Sequence, residues 1–224
     1  MTEPTYLRET RTSYDTVAVD YAALVRPAFE SDALGRAMLG AFAERVRAAG
    51  GRPVADVGCG PGHVTAYLHG LGLTAFGVEL SPRMVDVARR SHPGLRFDLG
   101  TMTALEQADG ALGGVVAWYS VIHTPRDVLP TVFGEFSRVL APGGLLLLGF
   151  HVGDELRRKE RGYGGHPMSL DVHLLPTERV AALAEGAGLV VDATLVRDLD
   201  GAGAPQGCLL VRKPLRTEEP ARTV

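Results

Sequence analysis

The chain has 224 residues, 46% apolar and 22% charged, a composition that can bury a substantial core and excludes a largely disordered polymer. Its 23 basic residues against 26 acidic ones leave a formal charge of −3, so no overall positive field exists to hold nucleic acid or anionic lipid. Cys59 and Cys208 are too few for a disulfide framework or a four-thiolate metal centre, and no run of about 18 apolar residues offers a membrane span. The polar N-terminus lacks the apolar stretch of a signal peptide, so the expected compartment is the cytoplasm.

Two helices are expected first, over roughly 12–25 and 31–48 and separated near Pro27, making a helical cap of residues 1–49. The 28 glycines then punctuate short apolar runs rather than forming low complexity. Residues 53–58 read as a strand, 62–71 as a short helix and 74–80 as a second strand. Ser81–Ser91 carries the marks of a helix start, with Ser81 as N-cap and Pro82 at the first position, where its missing N–H costs nothing. Strands at 95–99 and 115–122 follow, then a helix within 128–140 that ends before the Pro142-Gly143-Gly144 turn, then a strand at 145–150. Residues 151–176 are polar and too long for a simple connection, which marks them as a candidate lid and acceptor segment, with Gly162, Gly164 and Gly165 around Tyr163 as hinges. A helix at 177–187 precedes strands at 189–196 and 208–212, which the turn-rich stretch 198–207 joins as an antiparallel hairpin. Residues 215–224 read as a frayed tail beyond a single domain of residues 1–214. Strand–helix alternation with continuous apolar strands predicts an α/β fold, a Rossmann-like doubly wound sheet of seven mostly parallel strands whose last strand is antiparallel.

The most informative residues are Asp56-Val57-Gly58-Cys59-Gly60-Pro61-Gly62, a glycine loop between a strand and a helix at the carboxyl edge of the sheet. Glycines there admit a ligand close to the backbone, and the helix start offers unpaired N–H groups to an anion. His63 stands where a dinucleotide fingerprint needs its third glycine, and the Gly-Lys-Ser/Thr of a P-loop is absent. Glu79 ends the second strand 19 residues after Gly60. A third pattern, Arg138-Val139-Leu140-Ala141-Pro142-Gly143-Gly144, leads into the fifth strand.

Asp56, Gly58, Gly60 and Gly62, then Glu79, then the Arg138–Gly144 turn resemble, in order and spacing, the motifs of class I S-adenosylmethionine-dependent methyltransferases. The match is to the small-molecule branch that includes quinone-biosynthesis C-methyltransferases and natural-product tailoring enzymes. It covers residues 50–150 closely, and this stretch is therefore the expected cofactor-binding core; residues 177–214 match loosely. The resemblance implies that Gly58, Gly60 and Gly62 hold the methionine portion of S-adenosylmethionine and that Asp56 assists its amino group. Glu79 is implied to bind the ribose, with Leu80 against the adenine. The resemblance further implies that Thr101 and Met102 contact the adenine and that Tyr119 and Ser120 pass beneath the sulfonium. The chain departs from the family at Gly100-Thr101-Met102, which lacks the usual acidic residue, and at Gly113-Gly114, where many members carry Asp.

Transfer from a sulfonium needs chiefly in-line positioning, and a base only when the acceptor atom must lose a proton. His123, at the exit of the fourth strand, is the first candidate base; its alternative is a capping role at the following helix. His151 is the second candidate, and His166 and His173 are candidates to line the acceptor pocket. His151, Asp154, Asp171 and His173 show no metal-ligand spacing, so no metal is expected. Tyr14 and Tyr21, seven apart on one helix face, read either as core or, by the resemblance, as part of the cofactor's cover. Cys59 and Trp118 read as packing, and the Arg157–Arg161 run as a solvated face. The reading is S-adenosylmethionine-dependent methyl transfer to oxygen, nitrogen or carbon of a small molecule, by a monomer or homodimer that engages neither nucleic acid nor membrane. Two alternatives stand beside it: a cofactor-binding protein of this fold without catalysis, and a nicotinamide-dependent oxidoreductase.

Overall fold

Strands read from continuous apolar runs are those that must be covered on both faces, and they form the centre of the sheet. The computed structural model describes residues 3–198 and 203–215. Its main sheet contains β1 (Val54–Val57), β2 (Ala75–Glu79), β3 (Phe97–Leu99), β4 (Leu112–Trp118), β5 (Leu140–His151), β8 (Val190–Arg197) and β9 (Gln206–Arg212). Their order is β3-β2-β1-β4-β5-β9-β8, with the first five parallel and β9 antiparallel to both β5 and β8. The seven-stranded doubly wound fold with its antiparallel strand is therefore as expected. Alternate residues of the inner strands serve opposite cores. Val115, Ala117, Leu146 and Leu148 pack with Phe133 and Phe136 of α5 (Leu129–Val139) and Val180 of α6 (Thr177–Gly186). Val116, Leu145 and Leu147 pack with Leu39 and Phe42 of α2 (Ala33–Ala48) and Leu68 of α3 (His63–Gly70).

The order reverses at β1, whose neighbours β2 and β4 lie on opposite sides, and α/β sheets open a crevice at the carboxyl ends of such strands. The loops after β1, β2 and β4 meet there. Helix α4 (Pro82–Ser91) starts as its sequence indicates: the Ser81 hydroxyl accepts from the Met84 N–H at 3.1 Å, and Pro82 sits in the first turn.

Two expectations are corrected. Pro27 does not separate the N-terminal helices; it lies inside α1 (Thr5–Ser31), and the break falls at Asp32. A proline costs a helix one hydrogen bond and some bending, which the chain tolerates in the last two turns of α1, whose residues other than Phe29 are not fully buried. Asp32 ends α1 for a stronger reason. Its carboxylate accepts from the Gly35 N–H at 2.9 Å, capping α2, and takes both Arg197 guanidinium nitrogens, at 2.5 and 2.7 Å. Arg197 also donates to Gln206 across β8 and β9. Asp32→Ala removes the cap and strips a half-buried arginine of its counter-charge, so it is expected to lower stability by about 2–3 kcal/mol, read as a shift of the urea midpoint at unchanged slope.

The second concerns residues 151–176, read from the sequence as a long polar segment without strands. They contain a separate two-stranded hairpin, β6 (Leu156–Gly162) and β7 (His166–His173). Met168 and Leu170 of β7 pack on Val17 of α1, and the Ser169 N–H donates to the Ser13 hydroxyl at 3.0 Å. Arg158 pairs with Glu9 at 3.2 Å and His166 with Asp20 at 2.6 Å, so the hairpin and α1 form one layer over the crevice. The turn 198–207 lies partly, and the tail 215–224 almost wholly, outside the described residues. Among the described residues no helix is long and apolar enough to cross a membrane.

Candidate functional site

The glycine loop is dictated by what surrounds it. Gly58 sits at φ +73°, and a Cβ there would lie 2.3 Å from the Ser120 Cβ, so a side chain would drive the β1 loop away from the β4 loop. Gly62, at φ +84°, would place a Cβ 2.7 Å from the Phe97 ring. Both positions need glycine on backbone and steric grounds together. The Ser120 hydroxyl donates to the Val57 carbonyl at 2.7 Å and holds the two loops in contact. Cys59 is buried among Val85, Ala88 and Phe97, a packing role.

Glu79 is buried at the end of β2, and burial raises its pKa. Its Oε2 accepts from the Gly60 N–H at 2.9 Å and its Oε1 from the Ser81 N–H at 2.8 Å. Each carboxylate oxygen therefore keeps a lone pair for a ligand. Ser81 also donates to Asp15 of α1 at 2.6 Å, joining the loop to the helical cover. Asp56 lies beneath the loop, accepting from the Thr65 hydroxyl at 2.6 Å, and burial pushes its pKa up to about 7.

A cavity of about 730 Å³ opens above these residues. Gly58, Gly60, Glu79, Leu80, Thr101, Met102, Tyr119 and His123 line it, with Tyr14 and Tyr21 of α1 closing one side. Asp56 and Gly62 are not among its lining residues; the first faces Thr65 and the second Phe97. A second, more open cavity of about 1460 Å³ shares the wall of Tyr14, Tyr21, Tyr119 and His123. Beyond that wall it is bounded by His151, by Leu24 and Val25 of α1, and by Lys159, Tyr163, Val172 and Leu174 of the hairpin segment. His166 and His173 do not line it: His166 is paired with Asp20, and His173 lies opposite Leu156 on the hairpin.

The shared wall is tightly organised. His123 does not cap α5; it ends a short 3-10 turn, Val121–His123. Its Nδ1 lies 2.8 Å from the Asp171 carbonyl oxygen, which can only accept, so Nδ1 carries the hydrogen. Burial pushes the imidazole down to about 4, leaving it neutral at pH 7 with a bare Nε2. The Tyr14 hydroxyl donates to that Nε2 at 2.8 Å, and burial raises the phenol so that it keeps its proton. Tyr119 adopts φ +55°, a left-handed backbone unusual for a large side chain, and its ring lies tilted by 42° against His151, with centroids 5.2 Å apart.

At Gly113 a Cβ would come within 2.9 Å of the Arg52 Cβ, and Gly114 faces Phe42, where a Cβ would come within 2.5 Å of the ring. Helix α2 occupies that space. No group of three or more His, Cys, Asp or Glu side chains among the described residues could hold a metal; Asp154 instead pairs with Arg126 and Asp171 with Arg158. Sequence reasoning missed Asp15, Thr65 and Lys159. Of these only Thr65, one turn into the helix after the loop, lay where a partner for Asp56 could have been sought.

Residues 54–144 match a family of methyltransferase domains. The chain is 35% identical over 133 residues to an uncharacterized methyltransferase of Mycobacterium sp. (strain JLS), covering 59% of this chain and 49% of that one. It spans about half the length of the curated relatives it matches. Magnesium protoporphyrin IX methyltransferase from Synechocystis PCC 6803, solved with bound S-adenosylmethionine, shares the fold at TM-score 0.70 and 13% identity, over 95% of this chain and 99% of that one. The [4+2]-cyclase SpnF shares it at TM-score 0.66 and 18% identity, over 96% and 99%.

Proposed function

We propose that this chain, whose residues 54–144 match a family of methyltransferase domains, is a class I methyltransferase that binds S-adenosylmethionine in the smaller cavity and methylates a small molecule held in the larger one. The observation that carries the reading is Glu79: a buried carboxylate with one free lone pair on each oxygen, facing a cavity to which the neighbouring loop presents the bare backbone of Gly58 and Gly60. A ribose diol fits that carboxylate. Leu80, Thr101 and Met102 would flank the adenine, with backbone groups substituting for the acidic residue this chain lacks. The Gly58–Gly60 backbone would take the methionine portion. Asp56 would act from below, steadying the loop through Thr65, and Gly62 would keep the helix start clear of Phe97.

When bound, S-adenosylmethionine supplies an electrophilic methyl group whose bond to sulfur breaks with the electron pair remaining on sulfur. The protein's task is alignment, and Tyr14, Tyr21, Tyr119 and His123 form the gate at which acceptor and methyl carbon would meet. His123 is the proposed base where the acceptor atom carries a proton. Its bare Nε2 receives that proton either directly or through Tyr14, whose hydroxyl hands its hydrogen to Nε2 as its oxygen takes the acceptor's. A base with pKa near 4 is weak against a free hydroxyl, but methylation makes the attacking oxygen or nitrogen strongly acidic, so proton transfer late in the step suffices. His151 is second, one ring further into the acceptor cavity. Buried, unpaired Cys59 and Cys208 suit a reducing compartment, which supports a cytoplasmic reaction.

The deciding experiment pairs a thermal-shift titration with S-adenosylhomocysteine with mass spectrometry of extracts incubated with the protein and S-adenosylmethionine. The reading expects saturable stabilisation and a product heavier by one methylene. Stabilisation without any product would favour a cofactor-binding protein without methyl transfer, and saturable binding of a reduced nicotinamide alone would favour an oxidoreductase.

A further inference from the structure

The larger cavity carries a charge pattern that narrows what it holds. Its walls are largely apolar, and among the described residues no Asp or Glu lines it. Three cations do: Arg157, Arg158 and Lys159 on β6. Arg157 pairs with Glu155 at 2.5 Å and Arg158 with Asp171 at 2.6 Å, so both are neutralised from outside the cavity. Lys159 has no carboxylate within pairing distance among the described residues. Its ammonium instead sits 3.8 Å from the centre of the Tyr163 ring.

That placement is built. Tyr163 takes the left-handed φ of +47°, uncommon for a tyrosine, and its ring is wedged edge-on at 4.8 Å against Tyr21. The lysine stem crosses Gly162, where a Cβ would come within 2.5 Å of Lys159 Cε. A glycine, a strained tyrosine and an aromatic neighbour thus hold one ammonium at the cavity. A cation over an aromatic face is still short of hydrogen-bond acceptors, since a ring offers none of the lone pairs that three N–H groups require. His123 and His151 are held neutral, so they neither cancel this charge nor add to it.

The geometry points to an acceptor with an apolar, ring-bearing body and one anionic group, a carboxylate above all, seated on Lys159 with its methyl-accepting atom at the Tyr14–His123 gate. This deepens the methyltransferase reading and rests on it. One uncompensated positive charge matches one negative charge, and the apolar walls of Leu24, Val25, Ile122 and Val172 match the body. Cationic acceptors are disfavoured by the same ammonium.

Binding, not turnover, tests this. 2-Naphthoate and its neutral isostere 2-naphthamide are titrated calorimetrically into the protein, with and without S-adenosylhomocysteine. The carboxylate is expected to bind about tenfold tighter, the worth of one charge-assisted hydrogen-bonded pair. Lys159→Gln should equalise the two probes and Lys159→Arg should keep the preference. Gly162→Ala, which displaces the ammonium without removing it, should weaken the preference. Equal or absent binding of the two probes to the native protein, or an unchanged preference in Lys159→Gln, overturns the inference. If S-adenosylhomocysteine fails to bind while the preference and its dependence on Lys159 persist, the cofactor reading falls and the anion site stands.

Discussion

Replacing Glu79 with alanine is expected to weaken S-adenosylhomocysteine binding by about a hundredfold or more, measured by calorimetry. The figure follows from two hydroxyls losing a charged acceptor at about 1.5 kcal/mol each. The same substitution orphans the N–H groups of Gly60 and Ser81, so the loop that Glu79 organises loosens as well. Glu79→Gln separates the effects, because its single carbonyl oxygen keeps part of the acceptor set without the charge. The pH dependence has a definite sign. Burial raises the Glu79 pKa above the ordinary 4.5, and a protonated carboxyl gives up one acceptor position. Affinity should therefore fall on acidification, beginning at a pH above the range where an exposed glutamate titrates. Affinity that is the same in native protein and Glu79→Ala would remove Glu79 from the site.

The second large effect is at His123. His123→Ala is expected to lower kcat by about a hundredfold to ten-thousandfold for an acceptor that must lose a proton, with cofactor affinity nearly intact. For an acceptor that attacks as a free lone pair, the loss should be small. The pH profile distinguishes a base from a wall residue. With its pKa pushed down to about 4, His123 is unprotonated from alkaline pH down to about 5, so its contribution to the rate is level there and is lost as pH falls through about 4. A rate that declines through pH 6.5 in native protein and not in His123→Ala would mean that the imidazole titrates as though exposed and that the hydrogen-bonded wall is not intact in solution.

Much of this architecture was legible in the chain. β1, β2, β4 and β5 are continuous apolar runs because both faces are covered, and Ser81-Pro82 announces α4 by local chemistry alone. The glycine loop was legible because close backbone approach and positive φ demand glycine, and Glu79 because a carboxylate ending an apolar strand stands out. What escaped depends on partners distant in sequence. β6 reads Leu-Arg-Arg-Lys-Glu-Arg-Gly with no alternation, because most of its side chains stay exposed and its order comes from pairing with β7 and from α1. The end of α1 is set not by Pro27 but by an ion pair with Arg197, 165 positions away. The Tyr14–His123 hydrogen bond joins residues 109 apart, and the Asp171 carbonyl that fixes the tautomer belongs to a strand that sequence reasoning did not anticipate.

The two cavities also draw on different parts of the chain. Most of what would grip the proposed cofactor lies within residues 54–144, the portion that matches the methyltransferase-domain family. The proposed acceptor chamber is built mainly outside it, from α1, the end of β5 and the β6–β7 hairpin. Helix and hairpin are stitched together by Glu9–Arg158, Asp20–His166 and Ser13–Ser169, so they form a cassette laid over the sheet's crevice. On the proposed function, acceptor preference is expected to move with that cassette when it is grafted as one piece, whereas swapping the hairpin alone would sever three stitches and open the wall both chambers share.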